Sequence, residues 1–222
     1  MQRKSRLFLS LFVICFATCT FNMYAQQKIS KDFNHEINHS NGSAKKRFLT
    51  LQKLLDEQAN MSEFEKLDRV NRFFNLFQFV SDMQFKGEPD YWQTPKEFIE
   101  SAAGDCEDFS IAKYFTLLKM GVPSERLKIV YVKSKTLNQA HMVLAYYEST
   151  GSDPLILDNI NSKILPASER SDLIPVYSFN IDGLWLVRQQ SRDQRVGDSN
   201  RLRKWQDLLK RMEKEGTNNE FN

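Results

Sequence analysis

Gly104-Asp105-Cys106-Glu107-Asp108-Phe109-Ser110-Ile111-Ala112-Lys113-Tyr114-Phe115-Thr116-Leu117-Leu118 decides the fold: a glycine, an acidic turn around one cysteine, then apolar residues on most faces of a helix. The spacing predicts a helix from Cys106 to Met120, stopped by Gly121-Val122-Pro123. A helix apolar on most sides is buried, so other elements must cover it. Upstream, Phe48, Leu51, Leu54 and Leu55 recur at helical spacing within 44–55. A second helix is capped by Ser62 with Glu65 in the capping-box position, and Phe64, Leu67, Val70, Phe73, Phe74 and Phe77 form its stripe, read as core. Thr94-Pro95 opens a short helix, Lys96 to Ala102, which Gly104 ends. Downstream come three β-rich runs, Leu127 to Lys133, His141 to Tyr147 and Leu155 to Leu157. Tyr177 to Asn180 and Leu184 to Arg188 read as a hairpin about Asp182-Gly183. Helices packed on an antiparallel sheet make an α+β domain.

The ends read differently. Arg3, Lys4 and Arg6 precede an apolar stretch from Leu7 to Phe21, and Met23-Tyr24-Ala25 offers a signal-peptidase site. That stretch is short for a membrane span of about 20 residues, so an exported chain, periplasmic and with no membrane insertion after cleavage, is expected. Phe16-Ala17-Thr18 is a poor lipobox for Cys19. The formal +3 falls to about zero when the three basic residues leave, which removes support for nucleic-acid binding. Residues 26–43 are polar and read as a flexible segment, 44–190 as one domain, and 191–222 as a charged C-terminal helix and tail. In that helix Leu202, Trp205, Leu209 and Met212 share one side and are expected to pack on the domain.

Cys15 and Cys19 depart with the signal, leaving Cys106 without a disulfide partner in an oxidising compartment. Such a thiol is either buried or used. Its position at a helix N-terminus favours the thiolate, and burial of Asp105, Glu107 and Asp108 beside it would desolvate three carboxylates; together these favour a reactive thiol at the domain surface or in a cleft. His35 and His39 lie in the polar segment, so His141 is the candidate base, although taken alone it reads first as a structural core histidine. Asp158 ends an apolar strand and also suits a turn; adjacent antiparallel strands could place it beside His141 to fix the imidazole. The acidic flank opposes a thiolate unless a hard cation such as Ca²⁺ neutralises it. The same acids also suit an ordinary helix N-terminus, and the residues alone do not choose between the two readings.

Gly104-Asp105-Cys106-Glu107-Asp108, Ala112-Lys113-Tyr114, His141-Met142-Val143-Leu144 and Leu157-Asp158-Asn159, in this order, resemble the bacterial transglutaminase-like cysteine proteinases. The similarity runs from about Phe64 to Trp185 and takes in Val70-Asn71-Arg72-Phe73-Phe74-Asn75 and Trp92-Gln93-Thr94-Pro95. It implies a papain-like or transglutaminase-like core with Cys106 as nucleophile, His141 as general base and acid, and Asp158 as orienting carboxylate. It also implies Ca²⁺ at Asp105 and Glu107, with Asp108 a third candidate. Cys106 N–H and the Trp92-Gln93 region are the expected oxyanion donors. Members of this family release large surface adhesins during biofilm dispersal by cutting the adhesin's N-terminal region next to paired alanines. The periplasmic domain of an inner-membrane cyclic-di-GMP receptor sequesters them. The resulting expectation is a calcium-dependent periplasmic cysteine endopeptidase. Its rivals are a transglutaminase or amidase acting on protein glutamine or cell-wall peptide, and a non-enzymatic binding module.

Overall fold

The structure, a computed structural model, describes residues 34–188 and 191–218. The expected export signal, with Cys15 and Cys19, and residues 26–33 lie outside the described residues. No described helix is long and apolar enough to cross a membrane. Part of the segment expected to be flexible is anchored instead: 34–39 is helical, Ile37 packs on the core, and Glu36 pairs with Lys96 at 2.8 Å.

Helix α1, Gly42–Asp56, buries Phe48, Leu51, Leu54 and Leu55 as its spacing predicts. Helix α2, Glu63–Phe74, starts in the expected capping box: Ser62 N–H donates to Glu65 Oε2 at 2.8 Å and Glu65 N–H to Ser62 Oγ at 3.3 Å. Leu67, Val70, Phe73 and Phe74 are buried, but Phe64 is 56% exposed and Phe77 lies past the helix end. The inward position at the helix start belongs to Glu63, which accepts from Arg126 Nη1 at 2.7 Å and from the Tyr146 hydroxyl. One residue on, Phe64 is turned about 100° away from that face.

Strand β1, Gln78–Phe79, precedes the single turn α3, Asp82–Phe85. Helix α4, Pro95–Ser101, follows the Thr94 cap with its own capping box. It ends at Ala102 in the left-handed region (φ 52), not at Gly104 as expected. Gly104 instead belongs to β2, Ala103–Gly104, which pairs parallel with β1. Helix α5, Cys106–Lys119, packs against α2, α4 and the sheet.

The sheet strands are β3 (Leu127–Ser134), β4 (Gln139–Tyr146), β5 (Leu155–Leu157), β6 (Leu165–Pro166), β7 (Leu173–Phe179), β8 (Leu184–Arg188) and β9 (Ser191–Gly197). They run antiparallel in the order β6-β5-β4-β3-β7-β8-β9. Strands β6 and β9 were not expected, and β9 carries the sheet past residue 190. Period-two alternation divides the faces. Ile129, Met142, Leu144, Leu157 and Phe179 join the main core with α5, while Val130, Val132, Val143, Ala145 and Ile156 form a smaller cluster. Helix α6, Arg203–Asn218, packs on the domain: Trp205 is fully buried, stacked on Phe115 at 5.5 Å between ring centroids and edge-on to Phe179.

Candidate active site

Helix α5 begins at Cys106 because Asp105, in extended conformation, is its N-cap and Asp108 at N3 accepts the Asp105 N–H at 3.2 Å. The approach to this turn is tight. A Cβ on Gly104 would lie 2.2 Å from Asp108 Oδ2 and 2.7 Å from Gln93 Nε2, so only glycine fits. Gln93 holds Asp108 from both sides, through its N–H to Oδ1 (2.8 Å) and Nε2 to Oδ2 (2.7 Å), and Nε2 also donates to Ala103 O at 2.9 Å.

Two expectations are corrected here. The acidic flank does not keep this turn at the surface: Glu107 and Asp108 are buried, and Asp108 is tolerated because donors reach both its oxygens. Nor is Gln93 an available oxyanion donor, since both its N–H and its Nε2 are engaged; Trp92 Nε1 is likewise committed to Asp90 Oδ1 at 2.9 Å. The Cys106 N–H, at the first helical position, has no intrahelical acceptor by construction.

The carboxyl cluster is dense. Ligand atoms of Asp105, Cys106 and Glu107 lie within 4.8 Å of one another, as do those of Asp82, Asp105 and Asp108. Burial, then the neighbouring Glu107 carboxyl, pushes Asp105 up to about 9; burial also pushes Asp108 to about 7 and raises Asp82. Asp82 Oδ1 and Asp105 Oδ1 are buried with no donor among the described residues. Crowded buried oxygens without donors fit a hard, oxygen-seeking cation such as Ca²⁺. Asp105 and Glu107 are therefore brought together as expected for a metal pair, whereas both Asp108 oxygens already accept from Gln93. Asp82 was missed. Its position in Ser81-Asp82 reads only as the start of a short helix, and nothing local ties it to Asp105.

Cys106 Sγ donates to Glu107 Oε2 at 3.0 Å. Burial, and then the Glu107 charge and hydrogen bond, hold the thiol well above its ordinary pKa, against a smaller opposing influence of the Met142 main chain. Helix α5 packs on β4, the strand that carries His141. Among the described residues no hydrogen bond joins the sulfur to the imidazole.

His141 and Asp158 do meet. Strands β4 and β5 pair with Leu144 opposite Leu157, and His141 Nε2 sits 2.9 Å from Asp158 Oδ1, both side chains almost fully buried. Ile160 N–H donates to the same oxygen at 3.0 Å and Arg170 Nη2 to Oδ2 at 2.7 Å. Burial opposes ionisation of Asp158, but His141, Ile160 and Arg170 outweigh it and hold the carboxyl at about 2. At the C-cap of α2, Asn75 Nδ2 donates to Asp158 O at 2.9 Å, just past the end of β5. Sequence reading missed Arg170, which lies in a polar run with no periodicity. Lys113, on α5, is almost fully buried; its Nζ has no acceptor among the described residues and lies 5.9 Å from the Phe109 ring centroid. Burial lowers its pKa to about 7.

Three comparisons bear on this geometry. A sequence profile of the bacterial transglutaminase-like cysteine proteinases, BTLCP, matches residues 26–179. Legionella pneumophila LapG treated with EGTA is 48% identical, with a TM-score of 0.76 over 82% of this chain and 97% of that one. The calcium-bound form of Legionella pneumophila LapG is 46% identical, with a TM-score of 0.73 over 82% of this chain and 98% of that one. A search of curated protein sequences found no match. The core around α5 is thus LapG-like and transglutaminase-like, and the chain belongs to the bacterial transglutaminase-like cysteine proteinases.

Proposed function

We propose that this chain is a calcium-dependent cysteine endopeptidase of the periplasm that cuts the N-terminal region of a large surface adhesin and so promotes biofilm dispersal. Its export would depend on residues 1–25, and an inner-membrane cyclic-di-GMP receptor's periplasmic domain would be its regulator. The observation that carries the reading is the placement of Cys106 at the N-terminus of α5, which packs on β4, the strand where His141 is bonded to Asp158.

In this mechanism Cys106 attacks the scissile carbonyl, forming a C–S bond as His141 takes the thiol proton. Asp158 holds the imidazole in one tautomer and stabilises the imidazolium. The imidazolium then protonates the leaving amine, and water hydrolyses the thioester with His141 as base. The Cys106 N–H, with the helix dipole behind it, is the donor proposed for the oxyanion. Asp105 and Glu107, with Asp82 beside them, would hold Ca²⁺, whose charge offsets the carboxylates that oppose a thiolate. Catalytic hydrogen bonds commonly tighten only with substrate bound, which accommodates a thiol still bonded to Glu107.

The test is cleavage of an adhesin N-terminal fragment by the chain lacking residues 1–25, with Cys106→Ala as the comparison. The variant should keep its fold and lose more than about 10³-fold in rate. Unchanged cleavage by it would overturn the assignment. Incorporation of a labelled amine into protein glutamine without backbone cleavage would favour the cross-linking rival, and neither activity in the intact chain would favour the binding module.

A further inference from the structure

Asp158 is gripped from the side away from His141. Arg170 Nη2 donates to Asp158 Oδ2 at 2.7 Å, and the same guanidinium makes a two-pronged contact with Asp172, Nε to Oδ1 at 2.9 Å and Nη2 to Oδ2 at 2.9 Å. Arg170 is 5% exposed, while the Asp172 side chain is 35% exposed. A planar fork seated on one carboxylate fixes its own orientation, and through Nη2 it fixes the rotation of the second carboxylate. With Oδ2 so held, Oδ1 is left for His141 Nε2 and the Ile160 N–H.

We propose that Arg170, seated on Asp172, is a positioning residue that sets the Asp158 carboxylate so that Oδ1 meets His141. The inference rests on the Cys-His-Asp reading above and adds a fourth side chain and its anchor to it. Charge alone does not explain the arrangement, because a point charge leaves the carboxylate free to rotate. What Arg170 adds is a fixed direction, which lysine, a point charge on a flexible stem, does not reproduce. The guanidinium also borders a cavity of roughly 200 Å³ shared with His141, Asp158, Ser134 and Thr136, a route for a small cation to reach its place.

The test uses the chain lacking residues 1–25, with Ca²⁺ and the adhesin fragment, and compares Arg170→Ala, Arg170→Lys and Asp172→Asn with wild type. Arg170→Ala should lower kcat by about 10- to 100-fold, the range for residues that orient a functional imidazole from outside, with KM within about threefold. Added methylguanidinium should restore part of that rate at concentrations that leave wild type unchanged. Arg170→Lys should recover only a fraction, and Asp172→Asn, which leaves the Asp158 contact in place, should lose less than Arg170→Ala. A readout independent of turnover is the downfield proton resonance of the His141 Nε2–H bonded to Asp158, which should broaden or vanish in Arg170→Ala. Should the alanine variant misfold, Arg170→Lys carries the same test: a wild-type kcat and a wild-type resonance in that folded variant would overturn the proposal. Wild-type kcat and a wild-type resonance in folded Arg170→Ala would overturn the proposal, as would full rescue by lysine with none by methylguanidinium. If Cys106→Ala still cleaves, the protease reading falls while the resonance still decides the role of Arg170.

Discussion

Neutralising the acidic turn should switch on the Cys106 thiol, and the structure sets the size of the effect. The sulfur lies 3.0 Å from Glu107 Oε2. At that separation a full negative charge opposes the thiolate by about 1.4 kcal/mol with bulk-water screening and by about 5 kcal/mol at an effective dielectric near 20. These bounds correspond to a thiolate population about tenfold to 10⁴-fold smaller than without the charge, the direction in which burial and Glu107 already push the thiol. A thiolate also becomes a weaker nucleophile as its pKa falls, with a Brønsted slope of about 0.5, so the net gain in reactivity near pH 7 is about 3-fold to 100-fold. The assay is reaction of the chain lacking residues 1–25, whose one thiol is Cys106, with an aromatic disulfide reagent at pH 7. Wild type should react slowly in excess EGTA and faster by that factor in excess Ca²⁺. Glu107→Gln in EGTA should already be fast, because the nearest charge is gone, and should respond little to Ca²⁺. Wild-type rates within about twofold of each other in EGTA and Ca²⁺ would refute the electrostatic reasoning.

Three further outcomes follow from buried groups and the partners they have or lack. Lys113→Met should stabilise the fold by about 1 to 4 kcal/mol, because it removes a buried amine without an acceptor. With a folded pKa of about 7 against an ordinary 10.5, the wild-type penalty is full below pH 7 and fades as pH rises toward 10.5, so urea midpoints of the two proteins should converge in that window; a less stable variant would count against this account. Asp158, held at about 2 against an ordinary 3.8, contributes on the order of 2 kcal/mol above pH 4 that is lost as pH falls from about 4 to 2; acid unfolding of Asp158→Asn should lack that loss, and parallel curves would exclude it. Trp205→Ala should cost about 3 to 5 kcal/mol in urea unfolding, since the indole is fully buried against Phe115 and Phe179; a loss below about 1 kcal/mol would show that α6 is peripheral.

Much of the site's local construction could be read from the chain. The start of α5 at Cys106, the Ser62 capping box, the helix start at Thr94-Pro95, and the closeness of Asp105 to Glu107 depend on residues within four positions of one another. His141 and Asp158 could be paired from the residues only on condition that their strands are neighbours, a condition that the β4–β5 pairing meets; their roles came from the family resemblance. Glu63 displaced Phe64 from the α2 face because Arg126 and Tyr146, far along the chain, supply its partners. Strand β9 was missed because Ser191-Arg192-Asp193-Gln194 carries no alternating apolar signal.

The sequence by itself determined the buried helix, its cysteine at the N-terminus, the antiparallel strands behind it and the residue types of a nucleophilic site, because helix caps, periodicity and turns act over a few residues. Only the tertiary structure decided which acids are buried and which donors reach them. Gln93 satisfies Asp108, Asp82 joins Asp105, and Arg170 fixes Asp158 from residues 15, 23 and 12 positions away. The stability of a buried charge depends on where its partners come to lie, and only packing of the whole domain sets that.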